Sequence, residues 1–521
     1  MPLELPAAQI LIDNAQRFAE LPAYVCEGRM LTHRELYDRA DRLTAALEAR
    51  GLRRQDRVAA YGRNSIEYGE ILAMGQLSGI VVATVNFRLA AAEAIQIIAD
   101  AAPRVLFVDA DLFRLVADDL ATLPTIELVV ALDPSAGPTP AGCLPLAELL
   151  ASAGDRSRTL EARGDDVANL IYTSGTTGRP KGCMLGQHGL RWMAFTTRNE
   201  MRTDSSDRAL LVMPLFHIGA MAIGLAVHAR GGTVVLHRQF DTAAALNTIA
   251  ADAITVLHLA PTMLQALLAE AESQDRRDAL AGVRVVVYSA APITSTTLAA
   301  AMTAMPQAGF TNMYGQTEVI TSGLPFDLHD RAGRDERAAR RLASVGFPFP
   351  DTEVRIVDAE DRDVPLGEPG EILVRNAAVF LGYWNDSAAT VATLRDGWCR
   401  TGDIGRMDDE GLLHLVDRKK DVVISGGENI YSLEVEDAVT RHHDVVECAV
   451  IGLPDQQWGE AVTAVVVVRD EATLTLEQLR THLESHLAHY KQPKRLIVVS
   501  ELPKLATGKL DKKLLRATYA R

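Results

Sequence analysis

Short apolar runs alternate with longer amphipathic stretches along most of the chain. Such runs, bounded by glycine, proline and polar residues, are typical of buried strands, and the stretches between them carry apolar residues at helical spacing. The clearest runs occupy residues 105–108, 128–132, 234–236, 256–259 and 283–288. This alternation predicts a mostly parallel, doubly wound α/β architecture.

Capping signals place two helices along this pattern. Thr32 and Glu35 stand in the positions of a capping box, and Gly51 lies where that helix should end. The predicted buried face consists of Leu36, Leu43 and Leu47. Thr475 and Gln478 form a second capping box near the C-terminus. The apolar face that follows it consists of Leu476, Leu479, Leu483 and Leu487.

The character of the sequence changes near residue 354. Strand-like runs with frequent turns follow, and they predict a β-rich subdomain over about residues 345–418. Beyond it, the capped helix and the strand-like runs at 465–468 and 496–499 predict a compact α+β unit. A chain of 521 residues exceeds the size at which a single core stops growing. We therefore expect a large domain over residues 1–418 and a small domain over residues 419–521.

Composition narrows the class of partner. Hydrophobic residues make up 48% of the chain and charged residues 23%, which is ordinary for a globular enzyme. The formal net charge of −15 serves solubility and argues against nucleic acid or an anionic membrane surface as the main partner. A polyanionic ligand would need local cations or a divalent metal ion to reverse the sign at its site.

Cysteine usage and hydropathy predict a cytoplasmic protein. The five cysteines are scattered, odd in number and without a Cys-x-x-Cys pair, which predicts reduced thiols. No basic segment precedes an apolar stretch at the N-terminus, so we expect no signal peptide. The longest apolar run, residues 218–227, is too short to cross a membrane and is expected in a core or a pocket.

Residues 172–182, Tyr-Thr-Ser-Gly-Thr-Thr-Gly-Arg-Pro-Lys-Gly, are the most informative segment. The glycines allow backbone N–H groups to approach phosphate oxygens, the hydroxyls add donors, and Lys181 adds a positive charge. The order differs from that of the common P-loop, because Lys181 stands between Pro180 and Gly182. The segment predicts a nucleotide triphosphate as ligand. Its composition alone would also fit a flexible linker.

Several further motifs follow this loop in a fixed order. They are Pro214-Leu215-Phe216-His217, Ser289-Ala290-Ala291-Pro292, Asn312-Met313-Tyr314-Gly315-Gln316-Thr317-Glu318, Trp398-Cys399-Arg400-Thr401-Gly402-Asp403, Asp417-Arg418, Ser425-Gly426-Gly427-Glu428-Asn429 and Thr507-Gly508-Lys509. With the loop, this set strongly resembles the adenylate-forming superfamily of acyl-CoA synthetases, carrier-protein adenylation domains and beetle luciferases. The resemblance covers essentially the whole chain. It implies an α/β fold with two doubly wound sheets and a β-rich subdomain in the large domain, and a small mobile α+β C-terminal domain.

The resemblance implies an ATP site on residues of several motifs. Tyr314 would stack on adenine while Asn312 reads its amino edge. Asp403 would accept hydrogen bonds from the ribose hydroxyls, with Arg418 beside it. The other nucleotide contacts that it implies are Thr173, Ser174, Gly175, Thr176, Thr177, Gly178, Lys181, Ala290, Ala291, Gly315, Gln316, Thr317 and Lys509.

Catalytic roles are implied for three of the residues. Thr173 and Glu318 would supply hard oxygen ligands to Mg²⁺ on the triphosphate. Lys509 would bridge the substrate carboxylate and the α-phosphate. In isolation, Lys509 would count as one exposed lysine of a basic tail; within its motif it is a catalytic candidate.

The remaining implied roles concern the acid, the thiol and domain motion. The acyl pocket would be lined by His217, Ile218, Met221 and Val319. Coenzyme A would lie along Ser425, Gly426 and Gly427. Lys420 matches the hinge position, where a few dihedral angles absorb a rotation of the small domain between the two half-reactions.

The activity implied is ATP- and Mg²⁺-dependent joining of a carboxylic acid to coenzyme A through an acyl-adenylate. The acid is expected to be apolar and not an α-amino acid, because residues 218–224 carry no charge. The resemblance implies the same, since amino-acid-activating members of the superfamily have an aspartate after the phenylalanine that matches Phe216, where this chain has His217. The alternative is an adenylation enzyme that loads a separate acyl carrier protein. A binding protein without catalysis and a luciferase-type oxidase are weaker alternatives. A homodimer fits the sequence as well as a monomer does.

Overall fold

The computed structural model describes residues 4–132, 138–173, 180–289, 291, 293–329, 335–426, 428–469, 473–484, 486–504 and 510–520. The chain folds into two compact units. The first unit comprises Met1–Val354 and Val374–Cys399, and the second comprises Arg355–Leu373 and Arg400–Arg521. The domain boundary expected after Arg418, with its hinge at Lys420, stays a prediction.

The strands and helices are numbered in chain order. The strands are β1 (Pro22–Cys26), β2 (Arg29–Thr32), β3 (Arg57–Tyr61), β4 (Val81–Thr84), β5 (Val105–Val108), β6 (Leu128–Ala131), β7 (Leu144–Pro145), β8 (Val167–Thr173), β9 (Lys181–Gly186), β10 (Arg208–Leu211), β11 (Thr233–Leu236), β12 (Val256–Leu259), β13 (Val285–Ser289), β14 (Gly309–Gly315), β15 (Ile320–Leu324), β16 (Phe347–Pro348), β17 (Glu353–Val357), β18 (Gly370–Arg375), β19 (Leu394–Arg395), β20 (Trp398–Met407), β21 (Leu413–Arg418), β22 (Val423–Ser425), β23 (Glu428–Ile430), β24 (Val445–Asp455), β25 (Gly459–Val468) and β26 (Arg495–Val498). The helices are α1 (Ala8–Arg17), α2 (His33–Glu48), α3 (Ile66–Ser78), α4 (Ala91–Ala101), α5 (Ala110–Leu120), α6 (Leu146–Ala151), α7 (Gln187–Met201), α8 (Ile218–His228), α9 (Thr242–Ala251), α10 (Pro261–Ser273), α11 (Ser295–Ala304), α12 (Glu336–Leu342), α13 (Ser387–Thr393), α14 (Ser432–Thr440), α15 (Leu476–Leu483) and α16 (Lys512–Tyr519).

Two large sheets form the first unit. In its described part, one sheet has the order β7-β6-β5-β3-β4-β8-β9, and the other has the order β16-β15-β14-β13-β12-β10-β11-β1-β2. The central strands of both sheets pair in parallel, and antiparallel strands stand at the edges. Helix α3 is buried along its whole length and packs against β1 of one sheet and β4 of the other. Its sequence is mostly apolar, and its two buried carboxylates, Glu67 and Glu70, are paired with Arg29 and Arg39.

One buried amide ties the two sheets together at their carboxyl ends. The side chain of Asn64, which follows β3, donates hydrogen bonds to the carbonyl oxygens of Met213 and His237, each at 3.0 Å. The same side chain accepts a 2.7 Å hydrogen bond from the Leu215 N–H. Asn64 therefore fixes the segment that runs from β10 to His217.

The remaining strands form two smaller sheets. One has the order β17-β18-β20-β19, with β21 paired to β20. The other, in the second unit, has the order β23-β22-β25-β24, with β26 parallel to β25. Helices α14 and α15 close the core of this last sheet through Val435, Val439, Leu479 and Leu483.

The expected α/β architecture with two large sheets, a β-rich part and a small α+β part is confirmed. The capping boxes of α2 and α15 are both formed, because the threonine side chain of each accepts a hydrogen bond from a backbone N–H three residues later. Residues 218–227 lie in the buried helix α8. No helix in the described part of the chain combines the length and the hydrophobicity needed to span a bilayer.

Candidate active site

The phosphate-loop candidate is held by a β-hairpin. Thr173, the last residue of β8, pairs with Lys181, the first residue of β9. The two ends of the loop are thus fixed side by side at the edge of a sheet. Ser174, Gly175, Thr176, Thr177 and Gly178, the candidate residues between them, lie outside the described residues.

A chain of three side chains extends from Lys181 to Glu318. The Lys181 ammonium lies 5.0 Å from the centre of the Tyr383 ring. The Tyr383 hydroxyl donates a 2.6 Å hydrogen bond to Oε1 of Glu318. The Glu318 backbone oxygen accepts a 2.8 Å hydrogen bond from the Phe380 N–H. These contacts place Glu318, the candidate metal ligand, close to the end of the phosphate loop.

Cys183 joins the second candidate metal ligand to this group. Its thiol hydrogen-bonds with the Thr173 hydroxyl and with the Glu318 carboxylate. Burial and then the nearby Glu318 charge raise the pKa of the thiol, so Cys183 stays neutral. A carboxylate offers about four lone-pair positions, so bonds from Tyr383 and Cys183 leave room for a metal ion. The donor set of Glu318 and Thr173 therefore fits Mg²⁺ with retained waters.

A tight turn follows β14 and positions Gln316, Thr317 and Glu318. The N–H of Gln316 donates a 2.7 Å hydrogen bond to the Val319 oxygen. A Cβ atom at Gly315 would lie 2.7 Å from the Ile320 Cα atom, so the turn requires glycine there. Asn312 and Tyr314 lie two residues apart on β14 and share one face of the strand. Tyr314 is largely buried.

The segment after β13 is supported by a buried histidine. The His258 Nε2 atom lies 2.9 Å from the Ser289 hydroxyl oxygen. Burial lowers the pKa of His258 to about 4, so the imidazole is neutral at physiological pH. Ser289 leads into the Ala290–Ala291 segment; Ala291 is exposed, and Ala290 lies outside the described residues.

His217 occupies the position immediately before the buried helix α8. Its N–H donates to the Pro214 oxygen at 3.0 Å, and its ring lies 5.0 Å from that of Phe216. The carboxyl ends of β10, β12, β13 and β14 lie side by side in one parallel sheet. His217, Ser289 and Tyr314 therefore reach the same edge, where α/β sheets bind ligands.

An apolar cavity lies next to this edge. It is narrow and includes both Ile218 and Val319, together with Gln316 and Thr317. Its other lining residues are Leu185, Gly186, Gly189, Leu190, Met193, Ile320 and Ala378. Met221 lines a different cavity, between α1, α2, α3 and α8. The structure thus brings two of the four acyl-pocket candidates together and places Met221 elsewhere.

The second unit carries the ribose candidates. Asp403 on β20 pairs with Arg418 on β21. The Arg418 Nε atom lies 2.7 Å from Oδ1 of Asp403, whose side chain is 5% exposed. The Asp403 carboxylate is therefore fixed in direction by its guanidinium partner.

The hinge and thiol candidates lie in the same unit. Lys420 is exposed and lies in a turn. The turn is closed by a 2.8 Å hydrogen bond that the Asp421 N–H donates to the Arg418 oxygen. Ser425 is buried at the end of β22, and Gly426 has a φ of +65° with its N–H bonded to the Trp458 oxygen. Gly427 and the catalytic candidate Lys509 lie outside the described residues.

Three supporting residues were not found by the sequence analysis. Tyr383 holds Glu318, His258 holds Ser289, and Asn64 holds the segment before His217. Their partners lie 65, 31 and 151 residues away along the chain. Asn64 and Tyr383 follow apolar runs and His258 lies within one, and each is a weak signal without the fold.

Comparison with known proteins identifies the family to which the chain belongs. A family model described as "AMP-binding enzyme" matches residues 11–384. A second model, described as "AMP-binding enzyme C-terminal domain", matches residues 434–509. The first match contains the motifs from Tyr172 to Glu318, and the second ends at Lys509.

Individual relatives match over nearly the whole chain. A feruloyl-CoA synthase from Amycolatopsis sp is 38% identical over 94% of this chain and 94% of its own. An indoleacetate–CoA ligase from Aromatoleum aromaticum is 35% identical over 95% of this chain and 94% of its own. Among solved structures, the anthranilate CoA ligase AuaEII in complex with anthranoyl-AMP has a TM-score of 0.87 and 27% identity, covering 99% of this chain and 98% of its own.

Proposed function

Because the chain belongs to the AMP-binding enzyme family, as an acyl-CoA synthetase of the adenylate-forming superfamily, we propose that it activates a compact aryl carboxylic acid. It is an AMP-forming acid–CoA ligase that uses ATP, Mg²⁺ and coenzyme A. The observation that carries the aryl proposal is the small apolar cavity beside Gln316, Thr317 and Val319.

The reaction proceeds in two half-reactions. A carboxylate oxygen attacks the α-phosphorus of ATP, the bond to the β-phosphate oxygen breaks, and pyrophosphate leaves. The thiolate of coenzyme A then attacks the acyl carbon, and AMP leaves with the bonding electron pair. No side chain forms a covalent bond in either step, so the protein contributes position and charge stabilisation.

The described residues support the first half-reaction in three ways. Bound Mg²⁺ neutralises charge on the departing pyrophosphate, and Thr173 and Glu318 would hold it. Tyr383 keeps the Glu318 carboxylate in place. Lys181 adds a cation at the end of the phosphate loop, where an acidic protein of net charge −15 needs one.

The shape of the cavity supports an aryl acid. The space between its mostly aliphatic side chains is narrow, so a single flat ring system fits better than a long chain. Gly189 lies close to the Ala377–Ala378 backbone, where an added Cβ would be 3.0 Å from the Ala377 oxygen. The relatives named for feruloyl, indoleacetate and anthranilate chemistry act on aryl acids of this kind.

The same lining excludes an amino acid. None of the residues around the cavity carries a charge, and an ammonium group buried there would lose several kcal/mol of hydration without a partner. An aromatic ring instead gains about 25 cal/mol for each Å² removed from water.

The test is pyrophosphate release across a panel of acids at equal concentration. We expect ferulate, indoleacetate or anthranilate to exceed palmitate and phenylalanine in kcat/KM by at least about tenfold, as differences in pocket fit produce. Phenylalanine or palmitate as the best substrate would contradict the aryl proposal.

Two methionines provide a matched pair for the location of the pocket. Met193→Ala enlarges the cavity beside Val319 and should shift kcat/KM toward bulkier acids, whereas Met221→Ala alters the other cavity and should leave the ratio between acids unchanged. The opposite pattern would place the acid beside Met221, in agreement with the sequence-based prediction.

The thiol acceptor is tested with coenzyme A and a free carrier protein side by side. The curated relatives named above are CoA ligases, which favours coenzyme A over carrier-protein loading. Rapid conversion of the acyl-adenylate by coenzyme A is the expected outcome. The cytoplasmic location, supported by five free cysteines of which four are buried, and a homodimeric state are further proposals that fractionation and light scattering would test.

A further inference from the structure

Four histidines and one aspartate gather in the second unit, and none of them belongs to a motif assigned to the reaction. His442, His443 and Asp444 form the loop between α14 and β24. His482 lies in the last turn of α15, and His486 follows that helix. The chain has 13 histidines, and four of them meet here.

The rings lie in contact one after another. The ring centroids of His442 and His443 are 4.6 Å apart, those of His442 and His482 are 5.0 Å apart, and those of His482 and His486 are 5.0 Å apart. Two imidazoles bound to one Zn²⁺ at about 2.0 Å in tetrahedral geometry have centroids roughly 5 Å apart. The His442 and His443 rings are stacked with 20° between their planes, so the exposed His443 side chain must rotate for both rings to bind one ion.

A carboxylate completes the donor set. Oδ2 of Asp444 lies 3.2 Å from Nε2 of His443 and 4.0 Å from Nδ1 of His442. The potential ligand atoms of these three residues all lie within 4.8 Å of one another. Ligand atoms of a tetrahedral zinc site are roughly 3.3–3.5 Å apart, so small side-chain rotations suffice.

The backbone under the cluster is held by neighbouring elements. Arg469 donates hydrogen bonds to the His443 oxygen at 2.7 Å and to the Asp444 oxygen at 2.9 Å. Helix α15 is anchored in the core by the buried Leu479 and Leu483. His442 is 8% exposed, whereas the His443 side chain is 83% exposed, so an ion could enter from solvent.

We propose that His442, His443 and Asp444 bind a divalent transition-metal ion of the Zn²⁺ class, with the His482 ring as the fourth ligand. Imidazole nitrogens with one carboxylate suit Zn²⁺, Ni²⁺ or Cu²⁺, whereas Mg²⁺ demands oxygen ligands. The site is thus chemically distinct from the triphosphate metal site. The bound ion would link the α14–β24 loop to α15 and stabilise the second unit.

One step of binding has an identifiable cost. The Asp444 N–H donates a 3.2 Å hydrogen bond to Nδ1 of His442, and a metal ion at that nitrogen would replace it. The bond is at the long end of the normal range, so its loss costs little against coordination.

The test uses the tag-free, chelator-treated full chain titrated with Zn²⁺ alone, by calorimetry, without nucleotide. We expect one equivalent to bind, and His443→Ala and Asp444→Asn to weaken binding at least about tenfold, as loss of one ligand does. His489→Ala, which removes an exposed histidine outside the described ring contacts, should titrate like the wild type. Glu318→Gln should also keep the equivalent, since Glu318 belongs to the nucleotide site.

Replacement of Zn²⁺ by Co²⁺ adds a spectroscopic check. A tetrahedral site should give visible absorption that is lost in the His443→Ala protein. Absence of binding by the wild type, or unchanged binding by both His443→Ala and Asp444→Asn, would overturn the proposal and leave the cluster as packed surface histidines. Both substituted side chains lie at the surface of a loop, so circular dichroism should show a folded variant in each case.

Discussion

The Tyr383–Glu318 hydrogen bond is the contact on which the metal-ligand candidate depends most directly. We expect Tyr383→Phe to reduce adenylation about tenfold and to raise the KM for MgATP, because a hydrogen bond to a charged group contributes about 1.5–3 kcal/mol. The ring beneath Lys181 is retained in this variant. ATP–pyrophosphate exchange measures the effect.

Tyr172→Phe is the matched control for that variant. Tyr172 lies on β8, in the hairpin that holds the phosphate loop, and its hydroxyl donates a 2.6 Å hydrogen bond to Asp100 and not to Glu318. Its removal should leave the KM for MgATP unchanged. Equal effects of the two substitutions would show that Tyr383 supports the fold of the hairpin rather than the metal ligand.

Buried histidines predict a pH dependence of stability. Burial lowers the pKa of His258 to about 4 and that of His228 to about 3, below the ordinary value of 6.5. Protonation therefore favours the unfolded chain, so their contribution is complete above pH 6.5 and is lost as the pH falls below it. At pH 5 each should cost about 2 kcal/mol of unfolding free energy.

Urea unfolding at pH 7 and pH 5 measures this loss. His258→Gln keeps a side chain that can hydrogen-bond Ser289 but cannot be protonated, so its stability should fall less between the two pH values. A loss equal to that of the wild type would show that His258 is not buried as a neutral base.

At the residue scale, sequence could predict contacts within one motif and not contacts between distant segments. Thr173 and Lys181 face each other because a short hairpin joins them. Tyr383 reaches Glu318 across 65 residues, and no local pattern distinguishes it from a core tyrosine. Met221 and Ile218 both belong to the uncharged segment 218–224 that the sequence predicts to line the acyl pocket. In the structure they line different cavities, because the direction of each side chain depends on how α8 packs, and the role of Met221 stays a prediction.

At the scale of elements, the C-terminal helix α16 is held by a buried ion pair. The Lys512 ammonium lies 2.7 Å from Oε1 of Glu436 and donates a 2.7 Å hydrogen bond to the Ser432 hydroxyl. Both members of the pair are nearly buried, and Glu436 also accepts a hydrogen bond from the Val450 N–H at 2.7 Å. Helix α16 begins three residues after Lys509 in the sequence, so this pair holds the element that follows the candidate catalytic residue.

We expect Lys512→Met to destabilise the second unit by about 3 kcal/mol, because it leaves the Glu436 carboxylate buried without its partner. Burial already raises the pKa of Glu436, and loss of Lys512 would raise it further. Thermal unfolding with hydrogen exchange in α14 and α16 measures the change. Lys513→Met, on the exposed side of the helix, is the control.

A double variant separates the ion pair from simple packing. Lys512→Met combined with Glu436→Gln removes the uncompensated charge, so much of the stability should return. If the double variant were as unstable as the sum of the single ones, the pair would not be the cause.

Elements with a strong local signal were predictable, and those defined by tertiary pairing were not. The α2 and α15 capping boxes and strands β5 and β12 follow from residues that are adjacent in sequence. The pairing of β8 between β4 and β9, which presents the phosphate loop, joins segments that are far apart along the chain. Its register depends on packing that no single segment encodes.

At the scale of the whole molecule, the sequence predicts two domains with a boundary after Arg418, and that boundary stays a prediction. The compact second unit includes Arg355–Leu373 as well as Arg400–Arg521, so the division does not coincide with one point in the sequence. A functional hinge need not lie at the boundary between two compact units. Lys420 therefore stays a prediction that kinetics must test.

We expect Lys420→Pro to slow thioester formation more than adenylation. Within the described hydrogen bonds of this turn, Lys419 donates to the Gly402 oxygen and Asp421 to the Arg418 oxygen, whereas no bond from the Lys420 N–H is present. Proline therefore removes no backbone hydrogen bond and acts by fixing φ at this position and by restricting the residue before it. Pyrophosphate exchange and conversion of synthetic acyl-adenylate measure the two half-reactions separately.

The comparison with two other variants makes this prediction decisive. Lys420→Ala removes the charge without fixing φ, so both half-reactions should keep their rates. Lys509→Ala should slow adenylation more than thioester formation, because the lysine is implied to act on the substrate carboxylate and the α-phosphate. Loss of one preorganised charge lowers the rate by about 10²–10³. If Lys420→Pro left both rates unchanged, Lys420 would be a solvated charge and the hinge would lie elsewhere. If Lys509→Ala slowed both half-reactions equally, one pose of the C-terminal domain would have to serve both steps.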